Sequence, residues 1–312
     1  MNKLSIENIL EYSERLPFYN NYSFLRNDYQ KYSFQVNVLA SIFDIINSQS
    51  CQIIEINIKD LNHLFVVKKL DWDSNYFKFN CLSIECVFFK HADFRVLHDA
   101  INILISKYLP PKSYITINVT SEDLILIKAL SFTKFILIET RLNYFLDLAK
   151  RINIRNLNNV KDAEIIDIPA LRSIAIKMKN KFDRVHADPA FSEKEADNYI
   201  AKFAEESVKG FANIVLKVDN EYNIPFGFLA GNYPIDVYGI FVSKLVLAAV
   251  DSSVQKGKLL DLLDVMINRL KNKNADFLTT ITQAANIPAI RTWEKAGFKL
   301  YKVTNLYSIK ND

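Results

Sequence analysis

Apolar positions change their period twice along the chain. Ile6, Ile9, Leu10 and Tyr12 recur at helical spacing, as do Val36, Leu39, Ile42, Phe43 and Ile46. Residues 1–48 therefore read as helices joined by the Tyr- and Asn-rich connection FYNNYSFLRNDYQKYSF. From Cys51 the pattern becomes strand-like, with QIIEINI, HLFVVKKL and CLSIECVFF rich in β-branched and aromatic residues. A helix follows over about residues 94–108 and stops at Pro110 and Pro111. The strand SYITINV, a short helix SEDLILIKAL opened by Ser121 and Glu122, and the strand RLNYFLDL come next. The polar, Asn-rich run over residues 151–162 reads as a linker.

The pattern then restarts. Helices are predicted over residues 168–179 and 193–207, with the loop DRVHADPAFS between them. Strands NIVLKVD, PFGFLAG and YGIFV follow, separated by turn-like Asp219-Asn220-Glu221 and Gly231-Asn232-Tyr233-Pro234. The strand LVLAAV leads to a polar turn and a long amphipathic helix, on which Leu259, Leu263, Met266 and Leu270 form one stripe. The strand ADFLTTIT, a short helix and a last strand over residues 298–309 complete the half. Helices flanking an open mixed sheet are the simplest packing for such an order. SFTKF followed by RLNYFLDL stands where KAGF followed by LYKVTNLYSI stands later, which suggests an internal duplication with one degenerate copy.

Composition narrows the function. At 312 residues, 50% hydrophobic and 12% aromatic, the chain can build two ordinary cores or one very large one. A net charge of +4 suits anionic small molecules and is too mild to argue for nucleic acid. Glu7, Glu11 and Glu14 interrupt the N-terminal apolar run, so it does not read as a signal peptide. No apolar stretch is long enough for a membrane span. Cys51, Cys81 and Cys86 form no CxxC, so reduced thiols in a cytoplasmic protein are expected. Cys81 and Cys86 with His91 match no zinc spacing, and no metal is expected. His63, His91 and His98 read as surface or packing residues, and Trp72 with Asp73 as a turn between strands.

All six glycines lie in the last third of the chain, so a glycine-rich phosphate loop is excluded before residue 200. Lys256, Gly257 and Lys258 stand at a helix N-terminus, where unpaired amides and the positive end of the dipole suit an anion. An ordinary polar turn is the other reading. The short helix is well punctuated: Pro288 at its first position, Asn286 ahead as a cap or bridging residue, and Gly297 just past its end.

In this order, VQKGKLLDLL and NIPAIRTWEKAGF resemble the acyl-CoA loop and last motif of the GCN5-related N-acetyltransferases. LDWDSNYF and DRVHADPAFSEKEADNYIAKF resemble segments of the branch containing dTDP-fucosamine (dTDP-4-amino-4,6-dideoxygalactose) N-acetyltransferase. The resemblance covers roughly residues 60–312. It implies an α+β protein with two such mixed-sheet domains, the N-terminal one degenerate. The expected division is a helical extension over 1–50, the degenerate domain over 51–150 and the acetyltransferase domain over 151–312.

The implied reaction moves an acetyl group from acetyl-CoA to the amine of an amino sugar; another small amine or peptide as acceptor, or a non-catalytic binding module of the same fold, stays open.

 The acceptor the resemblance favours is a nucleotide-linked 4-amino-4,6-dideoxy sugar used in surface polysaccharide synthesis. Acetyl-CoA would lie where strand 245–250 splays from strand 276–282. Its pantetheine would pair with Leu247, Ala248, Ala249 and Val250, and its pyrophosphate with Gln255, Lys256, Gly257, Lys258 and Leu259, with Asn286 alongside. Arg184, His186 and Asp188 are the candidates for the sugar and its phosphates. Trp293 occupies the place of the family's tyrosine acid, and an indole cannot deliver a proton near neutral pH. Tyr301, Tyr307 or His186 could substitute, or Trp293 is simply core. Only one glycine remains in the loop, with Val254 where Arg or Gln is usual. The aromatic-rich N-terminus is expected to be core or a homodimer surface.

Overall fold

The computed structural model describes residue 9, residues 11–26, residue 42, and residues 50–151, 157, 159–178, 180–237, 239–251, 253 and 257–311. The chain forms two compact units, Met1–Thr140 with Lys302–Asp312, and Arg141–Tyr301. Both are α+β, each with a mixed sheet. The sequence expectation placed the border near residue 150 and kept the last strand with the C-terminal half. Here Lys302–Asp312 belongs with the first unit.

In the first unit the strands are β1 (Cys51–Ile58), β2 (Leu61–Lys69), β3 (Cys81–Phe88) and β4 (Ser113–Thr120). They lie in the order β1-β2-β3-β4, and residues 304–311 of β11 (Lys299–Asn311) pair antiparallel with β4. β3 and β4 are parallel. Helices α1 (Asp71–Phe77), α2 (Phe94–Ile103) and α3 (Leu124–Ser131) connect them. Alternation along β2 buries both faces. Phe65 and Val67 join the core under α2 and α3, while Leu64 and Val66 meet Ile9, Tyr12, Leu16 and Ile42 on the other face.

The segment LDWDSNYF, expected as a turn, contains a true helix. Asp71 and Asp73 sit in its first turn, where the dipole favours carboxylates, and Lys78 ends it in the left-handed region at φ 64°. Trp72 stacks on Tyr76 one turn later, with centroids 5.6 Å apart. The end of the first run read as helical forms the 3-10 turn Ser13–Tyr19, and the connection read as irregular holds a second, Ser23–Arg26. The remaining helices expected before residue 49 lie outside the described residues. Cys81 and Cys86 are buried in β3, as strand-core cysteines should be. His63 is buried too, and its Nε2 lies 2.7 Å from Nε2 of His91.

The second unit contains β5 (Ile136–Asp147) through its residues 141–147, β6 (Val160–Asp162), β7 (Ile214–Asp219), β8 (Pro225–Asp236), β9 (Phe241–Val250) and β10 (Phe277–Gln283). Their order is β5-β10-β9-β8-β7-β6. Its helices are α4 (Ile168–Lys177), α5 (Glu193–Glu206), α6 (Lys258–Lys271) and α7 (Ile287–Lys295). Leu216, Leu229 and Leu245 pack with the apolar stripe of α6 on one face. Val215, Phe228 and Ala230 pack with Leu171 of α4 and Ala204 of α5 on the other.

Two elements differ from the sequence reading. The linker run ends in the short strand β6, paired with β7. Gly231-Asn232-Tyr233-Pro234 is not a turn but an irregularity inside β8, between the pairs Asn232–Lys244 and Ile235–Val242. Asn213 holds it, accepting from the Tyr233 amide at 2.9 Å while its own amide donates to the Asn232 side chain. The reversal comes instead at Val237 and Ile240, whose backbones bond each other. Phe241 and Val242 of YGIFV and the whole of LVLAAV accordingly lie in one strand, β9.

Candidate functional site

The site begins where a ladder stops. β9 and β10 pair in parallel only through Phe277–Val242, Leu278–Ser243 and Thr279–Lys244. Thr279 closes the ladder with a side-chain bond of 3.0 Å to the Ser243 carbonyl. Beyond it β9 keeps its antiparallel pairing with β8, but Leu247 faces Ala230 and Leu245 faces Gly231, leaving Val246 as an extra residue. Such a bulge bends and twists the strand that carries it. The two strands part here, and a cavity of about 310 Å3 opens between them.

Leu245–Val250 form one wall and Thr280–Gln283 the other. Leu259, Asn286, Pro288, Ala289 and Trp293 line it from the helices that follow each strand. Ala175, Met178, Asn180, Asp183 and His186 close it from the α4 side. The lining is mainly apolar with a few convergent polar groups, the usual character of a small-molecule site.

Local sequence explains the frame. Asn286 caps α7, accepting from the Ala289 amide at 3.3 Å, and Pro288 occupies its first turn. Gly297 just past the helix has φ 90°, a value side chains rarely take. Gly257 caps α6 at φ 83° and, as a glycine, offers no side-chain cap of its own. The Leu260 amide donates to the Gly257 carbonyl at 3.1 Å, and the amides of Lys258 and Leu259 stand at a helix N-terminus, a place that suits an anion. Gln255 and Lys256 lie outside the described residues.

The loop after α4 is held by hydrogen bonds that fix its polar groups. Asn180 Nδ2 donates to Gln283 Oε1 at 2.6 Å, tying the loop to β10. Asp183 Oδ1 accepts the amides of Val185 and His186 at 2.9 and 3.0 Å. Its other oxygen lies 2.8 Å from His186 Nδ1, and Asp197 of α5 lies 3.2 Å from His186 Nε2. The hydrogen bond to Asp183 is the largest influence on this imidazole and, despite burial, its pKa is raised. With both ring nitrogens facing carboxylates, the site favours the doubly protonated imidazolium and leaves neither nitrogen open to a substrate proton.

The candidate residues therefore divide. Leu247, Ala248, Ala249, Val250, Leu259, Asn286, His186 and Trp293 line one cavity. Gly257 and Lys258 stand at the helix start beside it, with Lys258 Nζ 2.9 Å from Asp261. Arg184 and Asp188 do not line it. Arg184 donates to Tyr199 Oη at 2.7 Å, and buried Asp188 accepts from the Ala190 amide at 2.8 Å. Tyr301 packs edge-on against Phe145 at 6.1 Å. Tyr307 is buried in the first unit's core, where desolvation raises its pKa. Trp293 is buried against Phe298, with ring centroids 5.5 Å apart, and its Nε1 has no hydrogen-bond partner.

Asn180, Asp183, Thr280, Thr282 and Gln283 were not singled out from sequence. Asp183, three residues before His186 and ahead of a capped helix, carried the only signal, that of an Asx turn. Among the described residues no group of three or more His, Cys, Asp or Glu could hold a metal ion. No helix among them is long and apolar enough to cross a membrane.

No family model matches the sequence, and no curated protein does. Likeness appears in three dimensions. A GCN5-related N-acetyltransferase from Sphaerobacter thermophilus is 9% identical, with 87% of this chain and 85% of that one covered at a TM-score of 0.51. Another, from Kribbella flavida, is 10% identical, with 86% and 92% covered at 0.50. A functionally unknown conserved protein from Staphylococcus epidermidis is 9% identical, with 86% and 98% covered at 0.52. At these identities the likeness is one of fold: the chain has the mixed-sheet fold of the GCN5-related N-acetyltransferases.

Proposed function

We propose that the chain is an N-acyltransferase that uses acetyl-CoA to acylate a primary amine. The observation that carries this reading is the parting of β9 from β10 after Lys244 and Thr279, with a cavity in the gap. A parallel pair that stops inside a sheet leaves backbone groups that need partners. An extended arm of amides, such as pantetheine, would complete the ladder as an added strand does. The anionic end of the same molecule would find the N-terminus of α6 at Gly257.

Bound acetyl-CoA supplies an activated thioester carbonyl. The chain would supply orientation, through the two walls of the cleft, and a backbone N–H of β9 as the donor to the carbonyl oxygen. A donor of that kind is worth about 3–4 kcal/mol of barrier in other enzymes. Holding amine and thioester together provides most of the remainder. His186 is not the base in this scheme, because both its nitrogens already face carboxylates. It fixes the loop; the neutral amine attacks the thioester carbon, the C–S bond breaks as the C–N bond forms, and the proton the amine sheds passes through water to the departing CoA thiolate, whose thiol has a pKa of about 8.5.

For the acceptor, an amino sugar is supported by the DRVHADPAF motif, which brings Asp183 and His186 to the cavity wall beside Asn180 and Gln283. A nucleotide-linked form finds less support. Among the described lining residues the charged groups are Asp183 and His186, paired with each other, and neither is left for a diphosphate. A small amine without a nucleotide is the second reading for that reason. Calorimetry with CoA and acetyl-CoA is the first test, and absence of binding at millimolar ligand sinks the enzyme reading in favour of a binding module. Turnover on a dTDP-4-amino sugar beside free amino sugars and amino-acid amines then separates the acceptors.

A further inference from the structure

The first unit repeats the order of the second. β3, α2, β4 and α3 follow one another as β9, α6, β10 and α7 do. Its parallel ladder also stops early, at the pair Ile84–Ile117. Its strand also bulges at that point: Cys86 faces Val66 and Ile84 faces Val67, leaving Glu85 as the extra residue. These features open a cavity of about 310 Å3 in the second unit, yet the corresponding gap holds only about 10 Å3. That is about the room one water needs.

The difference is filled by the chain itself. Phe18 and Tyr19 line the residual void together with Ile84–Val87 and Ile117–Thr120. Tyr19 Oη accepts from the Val87 amide at 2.8 Å and donates to its carbonyl at 2.7 Å. Arg15 Nε donates to the same carbonyl at 2.9 Å. The Arg15 guanidinium pairs with Asp123, the residue that caps α3, and lies 3.8 Å from the centre of the Phe89 ring. Lys302 Nζ then holds the end of the segment through the carbonyls of Phe18 and Asn20, at 2.9 and 3.0 Å. Val87 lies two residues beyond its bulge, as Ala248 does beyond Val246.

We infer that the segment Ser13–Tyr19 is an internal ligand. It occupies, in the first unit, a cleft of the same build as the one left open in the second, and satisfies the freed strand edge in place of a bound amide chain. The first unit is a closed site, and of these two clefts only the second unit's is open among the described residues.

Two measurements on the full-length protein test this. Tyr19→Phe removes the hydroxyl while keeping the ring, so hydrogen exchange at the Val87 amide should quicken by about tenfold or more. Exchange at Ile115 and Ile117, within the β3–β4 region, should hold steady. An unchanged Val87 rate overturns the inference. On the wild-type chain, CoA calorimetry should give one site per chain, and two sites overturn it. That second measurement rests on the acyl-CoA reading. If CoA does not bind, that reading fails while the exchange measurement still decides the inference.

Discussion

Lys244 and Thr279 are the last residues that β9 and β10 pair, and the cavity starts at the next residue of each strand. The position of the cleft is thus a property of the sheet rather than of any one side chain. Filling it from the strand should block it. Ala248 lines the cavity and is only half-buried, so Ala248→Phe sends a ring into the gap. We expect CoA affinity to fall by at least about tenfold, or about 1.4 kcal/mol, with little change in thermal midpoint. Titration of the variant with CoA checks this, and unchanged affinity would place the cofactor elsewhere.

Much of this arrangement was legible in the sequence. The periodic stripe of α6 and the Asn286–Pro288–Gly297 punctuation of α7 rest on local pattern, and local pattern survives folding; the splay of residues 245–250 was expected only from the family resemblance. What was not legible depends on distant partners. Asn232-Tyr233-Pro234 has the composition of a turn, but Asn213, far away in sequence, locks it as a bulge. Arg184 sits in the right motif, but Tyr199, on the following helix, engages it. Tyr307 has suitable chemistry for an acid, but the alternation of β11 turns it into the first unit's core. No spacing rule could have shown that Tyr19 would meet Val87.

His186 makes stability depend on pH in a definite direction. Its folded pKa is raised, chiefly by the hydrogen bond to Asp183, above the ordinary value of about 6.5. A base with a raised folded pKa contributes its stabilisation fully below the unfolded value. That contribution fades as pH rises through the folded one. The loop spanning Asp183 and His186 should therefore loosen as pH rises through that raised folded value. Thermal midpoints of wild type and His186→Gln, measured from about pH 5.5 to about pH 8.5, should differ most at the acid end. A difference that grows with pH would refute the assignment.

His63 and His91 give the opposite sign. Burial lowers the pKa of both, so the neutral forms are favoured in the fold and stability is complete above about 6.5. It falls as pH drops toward the folded values, because the 2.7 Å contact between the rings tolerates one shared proton but not two charges. His63→Phe should flatten the acid side of the stability profile. An acid side as steep as that of wild type would show that these rings do not set it.

Gly257 tests whether the single loop glycine is needed for backbone shape or for room. Its φ of 83° is unfavourable for a side chain, yet a Cβ there meets nothing within 4 Å. Gly257→Ala should cost about 1–2 kcal/mol from backbone conformation alone. Gly257→Asn should cost less, since Asn tolerates the left-handed region. A much larger loss from Ala, read by denaturant unfolding, would mean that the turn closes on this position.

Trp293 separates packing from proton transfer. It is 4% exposed and packs edge-on against Phe298, so Trp293→Ala should cost about 3–5 kcal/mol of stability. Trp293→Phe keeps the aromatic contact and removes an indole N–H that has no partner. Its cost in stability should be much smaller. An indole carries no titrating proton near neutral pH, so the shape of the pH–rate profile should be the same in Trp293→Phe as in wild type, whatever the change in rate. Trp293→Tyr adds a group that titrates near 10 and should introduce an alkaline limb only if a proton donor is useful at that place. A wild-type limb that disappears in Trp293→Phe would show that the residue takes part in proton transfer after all.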